Sequence, residues 1–221
     1  MSYLSLIIVT LILGVGSQAL INGAYKKWGK VPAACGLTGA QAARRMLDAN
    51  GLQHVGISRI AGELTDNFDP RSNVLNLSQS TYDKTSVAAI AIACHEAGHA
   101  IQHSIGYKPI QIRSAIVPAA QFASNAWIFI LIAGIFLNMM SLVWVAVALY
   151  VCVVVFQVVT LPVEFNASSR ALATIRATLP LPDEQDAGCA KVLRAAAFTY
   201  VAAALASLLQ LLYYLGMASD R

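Results

Sequence analysis

Four stretches of this chain, Leu4 to Ile21, Ile116 to Leu137, Leu142 to Thr160 and Ala195 to Leu215, are long and apolar enough to span a lipid bilayer. A backbone inside hydrocarbon must satisfy its own hydrogen bonds, so each of these stretches is expected to form a helix. The composition agrees, with 57% hydrophobic and only 12% charged residues, far from the balance of a water-soluble domain. The expected architecture is mainly α, a four-span helical membrane protein. The first stretch could be read as a signal peptide, but it lacks a basic leader and a small-residue cleavage site, which favours a retained anchor. The second contains Pro118, Gln121, Ser124 and Asn125, as suits a helix that faces protein or water on one side.

The basic residues set an orientation. Ten of them, from Lys26 to Arg113, lie between the first two stretches, and Arg170, Arg176, Lys191 and Arg194 follow the third. The Asn138 to Ser141 hairpin has no charge. Positive-inside reasoning puts both basic segments in the cytoplasm and both termini outside. The expected organisation is a transmembrane anchor at 1–22, a cytoplasmic segment at 23–115, a two-span hairpin at 116–160, a second cytoplasmic segment at 161–194, and a last span and tail at 195–221. The net charge of +4 suits an anionic membrane surface. It lacks the density and the interleaved aromatics of a nucleic-acid binder, so no nucleic-acid partner is expected. Cys35, Cys94, Cys152 and Cys189 form no CxxC pair and read as reduced, packed thiols.

Within the first basic segment lies His95-Glu96-Ala97-Gly98-His99, an HExxH motif. The run Val87 to Cys94 leads into it without Pro or Gly, and Gly106 and Pro109 end the helix beyond it. On a helix, residues four apart share a face, so His95 and His99 can aim at one metal ion with Glu96 beside it as a base. Such a pattern also arises by chance on a solvated face, but this chain has only four His and two of them fall at this spacing. Catalytic zinc usually takes three protein ligands and keeps one position for water. His103 continues the spacing but lies about 12 Å along the helix from His95, too far for one ion to bridge, and His54 has no ligand spacing around it. Glu164 is the better third ligand. It follows the third stretch directly, and the short hairpin returns the chain to the membrane face that carries the motif, although a carboxylate there could equally be an interfacial charge. His95, His99 and Glu164 around one zinc ion per chain, with Glu96 as the catalytic base, describe a peptide-bond hydrolase acting on peptide or protein substrates.

Several segments together, Gly62 to Arg71, Leu77-Ser78, Tyr82, Ala93 to Gln102, Arg113-Ser114 and Leu161-Pro162-Val163-Glu164-Phe165, resemble the YugP-type neutral membrane zinc metallopeptidase family of bacteria over nearly the whole chain. The resemblance implies a multi-pass cell-membrane metallopeptidase with HExxH and a later glutamate. Where the family pattern has an Asp two residues after that glutamate, this chain has Asn166, which can accept a hydrogen bond but brings no charge to tune a ligand. The later motif is also similar to the Glu-x-x-x-Asp segment of HtpX-type and CAAX-prenyl endopeptidases, with Ser168 in place of the Asp. That partial likeness implies a small α+β zincin-like, gluzincin arrangement in the cytoplasmic metalloprotease segment.

The rest of that segment reads as a helix over Thr38 to Asn50, capped by Thr38 and ended by Asn50-Gly51, with Ala40, Ala43 and Leu47 as its apolar stripe. Gly56 to Leu64 and Asn73 to Leu77 are strand candidates separated by a turn from Asp66 to Arg71. An open edge of that small sheet could receive a substrate backbone as an added strand. Asp66 and Asp69 could form a second metal site, though carboxylates in a Pro-containing turn more often shape the turn. Arg170 has three readings: a partner for one of these Asp, an oxyanion contact, or a surface residue. Two rival functions are an intramembrane protease with its zinc inside the bilayer, and a non-catalytic binding or assembly module that keeps the zinc fold. Asp83, Lys84 and His103 bracket too short a run for a comfortable span, and a closed structural zinc site has no use for Glu96.

Overall fold

The computed structural model describes residues 2–219. The chain is mainly helical: α1 (Tyr3–Trp28), α2 (Gly39–Ala49), β1 (Gly56–Ile60), β2 (Asn67–Asp69), β3 (Val74–Ser78), α3 (Gln79–Tyr82), α4 (Val87–Ser104), α5 (Lys108–Phe136), α6 (Met140–Thr178) and α7 (Asp183–Ser219). Helices α1, α5, α6 and α7 are each long and apolar enough to cross a membrane; α1, α6 and α7 each contain one of the four apolar stretches, and α5 covers the second up to Phe136. The chain forms two compact units. One comprises Met1–Gln18, Lys108–Pro162 and Thr199–Arg221, the other Ala19–Tyr107 and Val163–Phe198.

In the first unit, α5, α6 and α7 meet around Leu131, Val143, Val147, Tyr150, Val154, Leu211 and Tyr214. The polar groups there are paired with one another. Tyr150 Oη donates to Gln210 Oε1 at 2.8 Å, and Gln210 Nε2 donates to Tyr214 Oη at 2.9 Å, as a low-dielectric surrounding requires. The ring of Trp127 packs 4.5 Å from that of Tyr150. Phe129, Phe136 and Trp144 face outward, as lipid-facing residues do. Cys152 is also exposed, against the expectation of a packed thiol, because it lies on an outward face of α6.

The second unit is built around α4. Its core joins Met46 and Leu47 of α2, Leu75 and Leu77 of β3, Val87 and Ile90 of α4, Ile175 of α6, and Val192 and Leu193 of α7. Ser86 caps α4 by accepting from the Ala89 amide, and Gly106, at φ 64°, turns the chain beyond it. Thr38 caps α2 in a full capping box with Gln41. The buried face of α2 is Gly39, Ala42, Ala43, Met46 and Leu47, which includes the expected Ala43 and Leu47, and Ala40 packs partly buried against the same core.

The sheet has the order β1-β3-β2. β1 runs parallel to β3, with Gly56 opposite Val74, and β2 runs antiparallel, with Phe68 opposite Leu75. Strand β2 lies inside the segment expected to be a turn. The turn itself is tighter: Asp69 accepts from the Arg71 amide at 2.9 Å and from Ser72 Oγ at 2.7 Å, and Asn73 takes the left-handed φ of 53° that closes the hairpin. Asp69 is therefore a turn former. Asp66 accepts from both the amide and the hydroxyl of Ser78.

Candidate metal centre

The motif residues sit on the middle turns of α4. Four-residue spacing brings the rings of His95 and His99 edge to face, with centroids 4.8 Å apart. From the other side comes the segment of α6 after Pro162. Its buried positions Val163, Glu164, Ala167, Ser168, Ala171 and Ile175 keep helical periodicity and lay one stripe on the unit's core. Gly98 makes the approach of the two helices close. A Cβ built at that position would lie 2.8 Å from the carbonyl oxygen of Ala167, so only glycine fits.

This approach carries Glu164 to the two imidazoles. Its Oε2 lies 3.2 Å from His95 Nε2 and 3.6 Å from His99 Nε2. His95 and His99 are each 9% exposed and Glu164 2%. The three donor atoms lie within 4.8 Å of one another, and among the described residues no other group of three His, Cys, Asp or Glu gathers in this way. Ligands about 2.1 Å from a tetrahedral zinc stand about 3.4 Å apart. The two Nε2 to Oε2 separations bracket that value, so the donor set fits a zinc ion in chemistry and, for both His–Glu pairs, in spacing.

Each imidazole is held by its other nitrogen. His95 Nδ1 is 3.1 Å from Ser168 Oγ, and His99 Nδ1 is 3.0 Å from Gln102 Oε1. Glu96 is partly buried beside the pair. Burial pushes its carboxyl above the ordinary range, against the pull of His95 and His99. For His99, burial acts to lower the pKa, but the hydrogen bond to Glu164 and the charges of Glu96 and Glu164 outweigh it, and the net shift is upward.

The structure thus gathers His95, Glu96, His99 and Glu164 and leaves the other two histidines elsewhere. His103 is exposed with its ring 5.9 Å from that of Phe68, and exposed His54 lines an open cavity between α2 and β1. Asn166 and Ser168, seen in the sequence only as departures from motifs, both hydrogen-bond at the site. Gln102 was not anticipated as a site residue; the signal was its place three residues after His99, on the same helical face.

The fold and this centre define a class: the chain belongs to the family described as "Putative neutral zinc metallopeptidase", whose sequence profile matches residues 3–219. Among curated relatives, the chain is 42% identical over 214 residues to "Putative membrane protease YugP" of Bacillus subtilis (strain 168), covering 97% of this chain and 95% of the relative. No solved structure matches it.

Proposed function

We propose that this protein is a membrane-embedded zinc metallopeptidase in which His95, His99 and Glu164 hold one zinc ion and Glu96 is the general base. The observation that carries the reading is the convergence of three buried donors from α4 and α6 at zinc-ligand spacing, with Glu96 adjacent. Zinc held there supplies an acidified water and a polarised substrate carbonyl. Glu96 takes the proton of the attacking water on its carboxylate and returns it to the leaving amide nitrogen as the peptide bond breaks. Its raised pKa favours the first of these transfers, because a carboxyl in a dry setting takes up and holds a proton more readily than one in water. Ser168 and Gln102 hold the two rings from behind, keeping both Nε2 atoms turned toward Glu164.

Substrate positioning falls to the sheet. β2 is an outer strand, paired on one side by β3 and, among the described residues, by no strand on the other, and it packs against α4 through Phe68 and His103. An extended substrate added along β2 brings its backbone beside the motif helix. The basic residues of 23–115 and 161–194 support a cytoplasmic site, at the face where anionic lipid meets water. The cap at Ser86 and the packing of α4 on α2 and the sheet support a site surrounded by protein rather than one inside the bilayer.

The test is elemental analysis and peptide cleavage on the detergent-purified chain. One zinc is expected in the wild type, with loss in His99→Ala and Glu164→Ala. Glu96→Gln is expected to keep zinc while cleavage falls by about a hundredfold or more. Unchanged cleavage by Glu96→Gln would remove the base assignment, and a wild type that binds no zinc after reconstitution would leave only the binding-module reading.

A further inference from the structure

Behind His99 lies a chain of hydrogen bonds whose directions are fixed by chemistry. It begins at Arg170, whose Nε donates to Asn166 Oδ1 at 2.8 Å. A guanidinium has no acceptor, so the oxygen of Asn166 must face it. The same oxygen lies 3.0 Å from Gln102 Nε2, which is also 2.8 Å from the backbone carbonyl of Val163. A carbonyl only accepts. The amide nitrogen of Gln102 therefore points at these two oxygens and spends both hydrogens on them, since the flipped amide would set its oxygen against two other acceptors. Gln102 Oε1 is left facing His99 Nδ1 at 3.0 Å, and an amide oxygen can only accept. The proton between them belongs to His99.

We propose that Gln102 is a positioning residue that fixes His99 as the Nδ1–H tautomer, through the one-way relay from Arg170 to Asn166 to Gln102. A neutral imidazole with its hydrogen on Nδ1 presents a lone pair at Nε2, and that atom lies 3.6 Å from Glu164 Oε2. The relay thus turns a second electron pair toward a carboxylate oxygen, an arrangement that a metal cation or a further proton between them makes favourable. Every participant is in the unit that carries the site, and Gln102 itself has no exposed surface. No carboxylate takes part: the relay does with two amides what an acidic residue behind a metal-bound histidine does elsewhere. The other ligand differs. Ser168 Oγ, 3.1 Å from His95 Nδ1, can donate or accept, so it does not by itself fix the tautomer of His95. The two histidines are therefore unequal, with His99 set in advance and His95 free to adjust.

The role of the relay in metal binding rests on the zinc reading above, but the tautomer does not, and the experiment separates them. The metal-free chain, 15N-labelled at histidine, is observed by 15N NMR at a pH high enough for the His99 ring to carry a single proton, with His99→Ala identifying the His99 signals. The Nδ1–H form of His99 is expected in the wild type, and its loss in Gln102→Met. Zinc affinity, read by competition with a chromophoric chelator, is expected to fall about ten- to a hundredfold in Gln102→Met and less in Ser168→Ala. Asn166→Asp, which still accepts from both Gln102 and Arg170, is expected to keep the wild-type tautomer. An Nε2–H signal for His99 in the wild type overturns the proposal, and so does Gln102→Met with the wild-type tautomer. A wild type that shows the Nδ1–H form and binds no zinc upholds the relay and refutes the metallopeptidase reading instead.

Discussion

Replacing Gly98 with alanine tests whether the contact between α4 and α6 sets the metal centre. A Cβ at this position would lie 2.8 Å from the Ala167 carbonyl oxygen, 3.2 Å from its Cα and 3.3 Å from its carbonyl carbon. All three are backbone atoms, so no rotamer change relieves the contact. The helices must separate by about 0.5 Å to reach ordinary packing distance. Glu164 lies three residues before Ala167 on the same helix and moves with it, so its distances to His95 and His99, now 3.2 and 3.6 Å, shift by a comparable amount. Zinc–ligand distances tolerate only about 0.2 Å. Stability and metal binding should therefore respond differently. Overpacking costs about 1–3 kcal/mol, and the better helix propensity of alanine returns about 1 kcal/mol, leaving a net loss of about 0–2 kcal/mol. Propensity offers no such offset to the ligand geometry, so zinc affinity should fall about tenfold or more, equivalent to about 1.4 kcal/mol. The assay pairs thermal unfolding in detergent with chelator competition. Gly188→Ala serves as the control: its Cβ would meet ring atoms of Trp28 at 2.5 to 2.8 Å, so it should lower stability and leave zinc affinity alone. A folded Gly98→Ala protein with wild-type zinc affinity would refute the reasoning.

Two further outcomes follow from titration and burial. In the metal-free chain His99 holds its proton to higher pH than an ordinary histidine, and zinc must displace that proton; apparent zinc affinity should rise with pH up to that raised pKa and level off above it, and a flat profile across about pH 6 to 9 would count against the assignment. By linkage, protonated His99 should stabilise the metal-free fold fully below the unfolded-state pKa, a contribution lost as pH rises through the folded value. Cys94, 1% exposed, has its thiol pushed far above the ordinary range by burial, so it should resist maleimide in the native protein and react once the chain is unfolded. Rapid native labelling at Cys94 would mean that the packing around the motif is looser than the structure has it.

The parts of this fold that the sequence announces are those where a single strong preference acts. Apolar length marks the four membrane-length helices, capping chemistry marks α2, and a run free of Pro and Gly, closed by Gly106 and Pro109, marks α4. What apolarity does not mark is where a helix ends once it leaves hydrocarbon: α5 begins at Lys108 and α6 continues to Thr178, well beyond the apolar windows. Strand β2 was hidden for a different reason. Three residues are too few for an alternating pattern, and Asn67 and Asp69 favour turns, so only pairing with β3 makes them a strand. At the site, His95, Glu96 and His99 are legible because one helix carries them at a fixed spacing. Glu164 needed an argument from chain reversal. For Gln102 the sequence offers only its place three residues after His99, because its partners Val163 and Asn166 are about sixty residues away.

The separation of the two halves of the metal centre has a consequence for synthesis. The motif histidines are complete by residue 99, but the carboxylate that joins them is at position 164, on a helix that must first turn back through the Asn138 hairpin. A nascent chain at any earlier stage carries two imidazoles and no third donor, and the glycine face against which Ala167 packs is still uncovered. The three-donor cluster is therefore completed late in translation, after the motif helix and the sheet have emerged.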